Sequence, residues 1–279
     1  MLKNSFQHIP GIGTVTEKQL WTSGLLSWQD ITPDNTFNVS PKRFEILTAF
    51  TKDSFEHLNN NNPVYFADLL PAKEHWRLFN AFRESTAFID IETTGIKLYG
   101  FEITTIALYD GKKIRYYIKD RNLKEFIDDI RNYNVIVTYN GKAFDVPFIE
   151  GQFGIGLNHA HIDLRYVLKS LGYSGGLKIC EKALGLDRGN LDGVDGYFAV
   201  LLWLDYQHNK NEKALETLLA YNIEDVVNLE TLMVMAYNMK IKDTPFNRTH
   251  ELPLPKIPEI PFQPDLATID KLENRIRFI

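Results

Sequence analysis

Two carboxylates one residue apart, Asp90 and Glu92, close the apolar run Phe88-Ile89-Asp90-Ile91-Glu92 just ahead of Thr93-Thr94-Gly95. In a β-strand, residues i and i+2 project from the same face, so both acids point the same way. Like charges side by side on a half-buried strand are unfavourable unless a cation sits between them. Hard carboxylate oxygens suit a divalent cation such as Mg²⁺ or Mn²⁺. An exposed edge strand carrying two solvated acids is the competing reading of this segment.

Further acids decide between the two. Val135-Ile136-Val137-Thr138-Tyr139 reads as a buried strand ending at Asn140, and Gly141 breaks it. Pro147 suits the first turn of a helix, which puts Asp145 near a helix N-terminus, where a carboxylate also serves as a plain cap. From Leu215 to Leu232 neither glycine nor proline interrupts a helical pattern, and Leu218, Tyr221, Asp225, Leu229 and Leu232 form one stripe. Asp225 therefore lies on the inward face, one turn after Tyr221, and a buried aspartate needs a partner. Glu224 and Glu230 fall off the stripe and are expected to be solvated.

Asp90-x-Glu92, Asn140-x-x-x-Phe144-Asp145 and Tyr221-x-x-x-Asp225, in that order, resemble the three motifs of the DEDD exonuclease superfamily. Tyr221 places the resemblance in the tyrosine-type (DEDDy) branch, and Gly175-Gly176-Leu177-Lys178 to Gly185 also looks like that superfamily. Within it the chain is most similar to the YprB-like bacterial exonucleases. The likeness covers roughly residues 85–240.

The resemblance implies an α/β fold, a ribonuclease H-like mixed sheet flanked by helices. It implies a 3′–5′ exonuclease hydrolysing phosphodiester bonds, DNA favoured over RNA, at a single-stranded 3′ end. Its cofactors would be two divalent metal ions, Mg²⁺ or Mn²⁺. Asp90 would bridge them, Glu92 and Asp225 would complete one shell, and Asp145 would help hold the other. Thr93, Thr94 and Gly95 would line the site against the terminal nucleotide, with Asn140 and Lys178 as further substrate contacts. The chemistry is consistent with this: two metals roughly 3.5–4 Å apart can activate a water, neutralise the phosphate and stabilise the leaving oxygen. A free tyrosine has a pKa of about 10, so Tyr221 is a poor base near neutrality and is better suited to orienting a water.

Bulk properties bound the reading. At 279 residues, 44% hydrophobic and 24% charged, the chain has ample core for one medium domain and a smaller one. A single cysteine, Cys180, excludes an internal disulfide framework and fits a reducing cytoplasm. The first residues lack an apolar signal core, and the longest apolar stretch, Phe198 to Leu204, is too short to span a bilayer. A net charge of −5 is not that of a protein that coats itself in nucleic acid, but it suits a nuclease whose site holds four acids.

Three regions are expected: a helical region over 1–84, the exonuclease domain over 85–240, and a proline-rich tail over 241–279. Within the first, residues 6–31 resemble a helix-hairpin-helix motif. Gly11 and Gly13 allow a tight turn, and Gly13-Thr14 exposes backbone amides able to hold a phosphate without reading sequence. A plain packing hairpin is the alternative, since Lys3 and Lys18 are the only cations nearby. Ser40-Pro41 is a helix start, and Leu70 to Arg83 reads as another helix. In the catalytic region strands are expected at 86–92, 103–109 and 113–118, the last two joined at Asp110-Gly111, then a helix near 122–132, a strand at 135–139, a helix near 146–153 and a strand at 160–164.

Other residues are weighed down. His161 and Asp163, at i and i+2 on a short strand, suit a structural or substrate-edge role. The segment Asp187 to Gly196 lacks the closing glutamate of a calcium loop and reads as an ordinary loop. Pro253 to Pro264 suit an extended strap that wraps the domain through Leu254, Ile257, Ile260 and Phe262. Two other functions remain open at this point: a structure-specific endonuclease on the same scaffold, and a non-catalytic nucleic-acid-binding module.

Overall fold

In the computed structural model, residues 1–32, 34, 39–95, 101–191 and 193–276 are described, with backbone only at 275 and 276. A five-stranded sheet is built from β1 (Thr86–Thr93), β2 (Ile103–Tyr109), β3 (Ile114–Ile118), β4 (Val135–Thr138) and β5 (Ala160–Asp163), in the order β3-β2-β1-β4-β5. β1 is antiparallel to β2 and parallel to β4, so the sheet is mixed, with β1 at its centre. The β2–β3 hairpin closes at Asp110-Gly111, where Gly111 has φ +82° and Asp110 Oδ1 accepts from the backbone amides of Lys112 and Lys113.

β1 and β2 are buried almost throughout because helices cover both faces of the sheet. The period of two sorts their side chains between two cores. Ala87, Ile89, Ile91, Ile106, Leu108 and Ile136 meet Phe126 and Ile130 of α5 (Phe126–Ile130) and Ile149 of α6 (Asp145–Phe153). Phe88, Ala107, Tyr109 and Val137 face the other way, onto the core shared with α7 (Leu164–Lys169), α9 (Gly196–Asn209) and α10 (Glu212–Ile241). Asp90 and Glu92 continue the row of Phe88 and so point toward α10. Between α7 and α9 lies α8 (Leu177–Ala183).

α10 is buried on almost every side, which overturns the expectation for two acids. Glu230 is 3% exposed and pairs with Arg83 at 2.7 Å; Glu224 is half-buried and burial raises its pKa to about 7. A helix enclosed all round has no solvated face for off-stripe residues to occupy.

The N-terminal region shares the core of the α10 side, through Phe6, Trp21, Trp28 and Trp76 among others. Its α-helices are α1 (Thr14–Thr22), α2 (Pro41–Asn59), α3 (Val64–Leu69) and the short α4 (Phe79–Phe82). Ser40 caps α2 through Arg43 N. Residues 70–83 form mainly a 3₁₀ segment, Ala72–Leu78, rather than one helix. Of the hairpin motif at 6–31, only α1 is an α-helix; 3₁₀ turns at Leu2–Asn4 and Trp28–Asp30 flank it, and Pro10-Gly11 interrupt the leading arm.

Beyond α10, residues 251–260 carry no regular secondary structure, and α11 (Leu266–Ile276) follows, a helix the proline spacing does not reveal. Leu252, Ile260 and Phe262 pack on the core, and Phe262 stacks edge-on against Tyr116 at 5.0 Å. Leu254 and Ile257 face solvent instead, so the strap wraps through only part of its apolar set.

Candidate active site

The site forms where β1 changes partners. Parallel pairing with β4 stops at Phe88–Val137, and the two strands then part at their carboxyl ends, where ligands bind in open α/β sheets. Ile91 N, beyond that last rung, donates instead to Asp145 Oδ1 at 3.2 Å. Asp145 is the first residue of α6, where a carboxylate also complements the helix dipole.

Oxygens of Asp90, Glu92 and Asp225 all lie within 4.8 Å of one another. The i, i+2 spacing on β1 supplies two and the inward stripe of α10 the third. Asp145 stands outside this group of three, its Oδ1 taken up by the β1 amide, but close enough for its charge to act on Asp90 and Glu92. Burial, then the charges of Asp225 and Asp145, pushes the Asp90 and Glu92 carboxyls well above their ordinary values. Burial raises Asp145 to about 7 and also raises Asp225, against the opposing charge of Arg188. A dense set of hard oxygen donors that is costly to ionise unaided fits a divalent cation.

Tyr221 is buried one turn before Asp225. Burial and the neighbouring acids, Asp225 first, push its phenol far above the ordinary range, so it stays protonated. Lys178 Nζ, from the first turn of α8, lies 4.4 Å over the Tyr221 ring, and it is buried without a hydrogen-bond partner among the described residues.

The expected substrate-contact residues are distributed around this centre. Thr93 is buried at a register shift of β1, and Thr94 N donates to Glu102 O at 2.9 Å. Gly95 has φ +61°, and a Cβ there would lie 2.5 Å from Val200 Cγ2 of α9. Asn140 has φ +67° and accepts from Arg165 Nη1 through its carboxamide oxygen. Gly11, Gly13 and Thr14 are exposed at the start of α1, on a different element from the acids. His161 and Asp163 are structural: His161 Nε2 bonds Thr138 Oγ1 at 2.8 Å, and Asp163 accepts from the amides of Asn140, Lys142 and Arg165.

Sequence reasoning missed two side chains that touch the acids. Asn222 Nδ2 donates to Asp90 Oδ2 at 2.7 Å, while its Oδ1 accepts from Thr105 Oγ1 at 3.0 Å. A carboxamide next to Tyr221, within an uninterrupted helix, was the available signal. Arg188 pairs with both Asp225 and Glu181. It lies in the segment read as a plain loop, of which Asp192 falls outside the described residues, and no periodicity marks it.

The family comparison agrees with the fold. A family model described as the RNase H superfamily matches residues 87–237, more than half of the chain. Among solved structures, the family B DNA polymerase from the hyperthermophilic archaeon Pyrobaculum calidifontis matches with 16% identity and a TM-score of 0.44. The match covers 56% of this chain and 24% of the polymerase. No curated protein matches. With its mixed five-stranded sheet, its helices on both faces and a family match that runs from β1 through the acids to residue 237 in α10, the chain belongs to the RNase H superfamily.

Proposed function

We propose that this chain is a metal-dependent 3′–5′ exonuclease of the tyrosine-type DEDD group, similar to the YprB-like enzymes, acting on single-stranded nucleic acid ends with DNA favoured over RNA. The observation that carries the reading is the meeting of Asp90, Glu92 and Asp225 oxygens within 4.8 Å, with Asp145 and Tyr221 alongside.

Asp90, Glu92 and Asp225 would hold Mg²⁺ or Mn²⁺, with Asp145 contributing to a second ion. Bound there, such ions would acidify the attacking water and neutralise the phosphate. The protein's own groups do the rest. Asn222 fixes the orientation of Asp90, and Ile91 N does the same for Asp145. Protonated Tyr221 is able to donate to a water or phosphate oxygen but not to act as base. Lys178 brings a positive charge to the rim, and the Thr93–Gly95 stretch would line the site against the terminal nucleotide.

In this reading 85–240 is the exonuclease domain, 1–84 and 241–279 are flanking regions, and the amides at Gly11, Gly13 and Thr14 add a weak, sequence-independent phosphate contact. A chain whose one cysteine is a buried free thiol suits a reducing cytoplasm.

The test uses 5′-labelled single-stranded DNA and RNA with Mg²⁺ or Mn²⁺, comparing wild type with Asp90→Ala. A metal-dependent ladder shortening from the 3′ end, absent in the variant, is the expected result. A discrete internal cut would mean an endonuclease. Binding without cleavage of either polymer would mean a non-catalytic module.

A further inference from the structure

Asp225 already has a cationic partner in this structure. Arg188 Nη2 donates to Asp225 Oδ1, while Nε and Nη2 grip Glu181 at 2.6 and 2.9 Å. Asn228 Nδ2 holds Glu181 in turn at 2.9 Å. The side chains of Arg188, Glu181 and Asp225 are all nearly inaccessible to solvent, at 5%, 1% and 6%. Arg188 Nη1 is buried with no hydrogen-bond partner among the described residues. A guanidinium only donates hydrogen bonds, so it cannot join the ligand shell of a metal ion, and two cations packed against one carboxylate repel. The oxygens that place Asp225 beside Asp90 and Glu92 are therefore contested.

We propose that Arg188 is the resident counter-ion of Asp225 and is displaced when a divalent cation binds at Asp90, Glu92 and Asp225. The inference rests on the metal reading given above. Glu181, anchored by Asn228, retains the released guanidinium at the rim of the site. A cleft of about 410 Å³ lined by Lys178, Glu181, Lys182 and Arg188 gives it room to turn away from Asp225. The exchange makes metal binding weaker than the carboxylates alone would allow, and it keeps one of a crowded group of acids neutralised until the ion arrives.

The test is calorimetric titration of the full chain with Mn²⁺ at fixed pH and salt. Wild type is compared with Arg188→Gln and with the double variant Arg188→Gln/Glu181→Gln. The double variant leaves no orphaned carboxylate at Glu181, so it guards against a single variant that fails to fold. Both variants are expected to bind Mn²⁺ more tightly, by about 10-fold. In wild type, the Arg188 side-chain NMR resonance is expected to shift on adding Mg²⁺. Equal or weaker affinity in the folded double variant, or an unmoved Arg188 resonance with Mg²⁺ bound, overturns the exchange and leaves the metal site standing. Absence of Mn²⁺ binding in all three proteins overturns the exchange and the metal reading together.

Discussion

Asn222 and Asp90, 132 positions apart, are joined by a 2.7 Å hydrogen bond from the α10 carboxamide to the β1 carboxylate. Thr105 on β2 fixes the carboxamide's orientation from its other side. Groups that orient a metal-binding side chain typically matter 10–100-fold to affinity or activity. Asn222→Ala is therefore expected to weaken Mn²⁺ binding by about 10-fold, with little change in affinity for a single-stranded oligonucleotide in EDTA. Titration calorimetry and fluorescence anisotropy check the two halves.

Asp90→Asn is expected to separate stability from activity. Removing one of several crowded buried acids relieves repulsion, so the metal-free variant should melt about 2–4 °C higher, the shift that ~1 kcal/mol gives in a chain of this size. Nuclease activity should fall by at least about 10²–10³-fold. Calorimetry in EDTA and a gel assay with Mg²⁺ measure the pair of effects.

Asp145 makes the metal-free protein sensitive to pH. Its carboxyl is raised from 3.8 to about 7 by burial, so the folded state binds more protons than the unfolded state between those values. The stability associated with the protonated form is present at low pH and is lost as pH rises toward about 7. In EDTA, the wild-type melting temperature should fall between about pH 4 and 7 more steeply than that of Asp145→Asn. Saturating Mg²⁺ should flatten the difference, because metal binding favours the ionised carboxylates.

Gly95→Ala meets two obstacles, a φ of +61° and a Cβ placed 2.5 Å from Val200 Cγ2. The expected loss is about 1–3 kcal/mol. Adding Val200→Ala should restore only the steric part, which urea denaturation of both variants resolves.

Arg77 links the N-terminal segment to the rest of the fold. It reaches Glu17 at 3.0 Å, Glu74 at 2.9 Å and Ser5 Oγ at 3.0 Å, all buried. Arg77→Met would leave Glu17 and Glu74 without their cation, at a cost of about 3–5 kcal/mol. A loss of no more than about 1 kcal/mol in chemical denaturation, the size of an ordinary substitution, would refute this account of the junction.

Local chemistry determined much of what the sequence showed alone. Alternation in β1 put Asp90 and Glu92 on one face, the Asp110-Gly111 pair marked the β2–β3 hairpin, and the three-and-four spacing of α10 turned Tyr221 and Asp225 inward. These features follow from periods of two and 3.6 residues, which a short window of sequence contains. Only the tertiary structure decided the rest. The parting of β1 from β4 gave Asp145 a backbone amide to hold, the all-round enclosure of α10 buried Glu230, and the loop after α8 delivered Arg188 to Asp225. Each depends on which distant surfaces meet, and a buried charge finds its partner across space, at a separation no sequence period records.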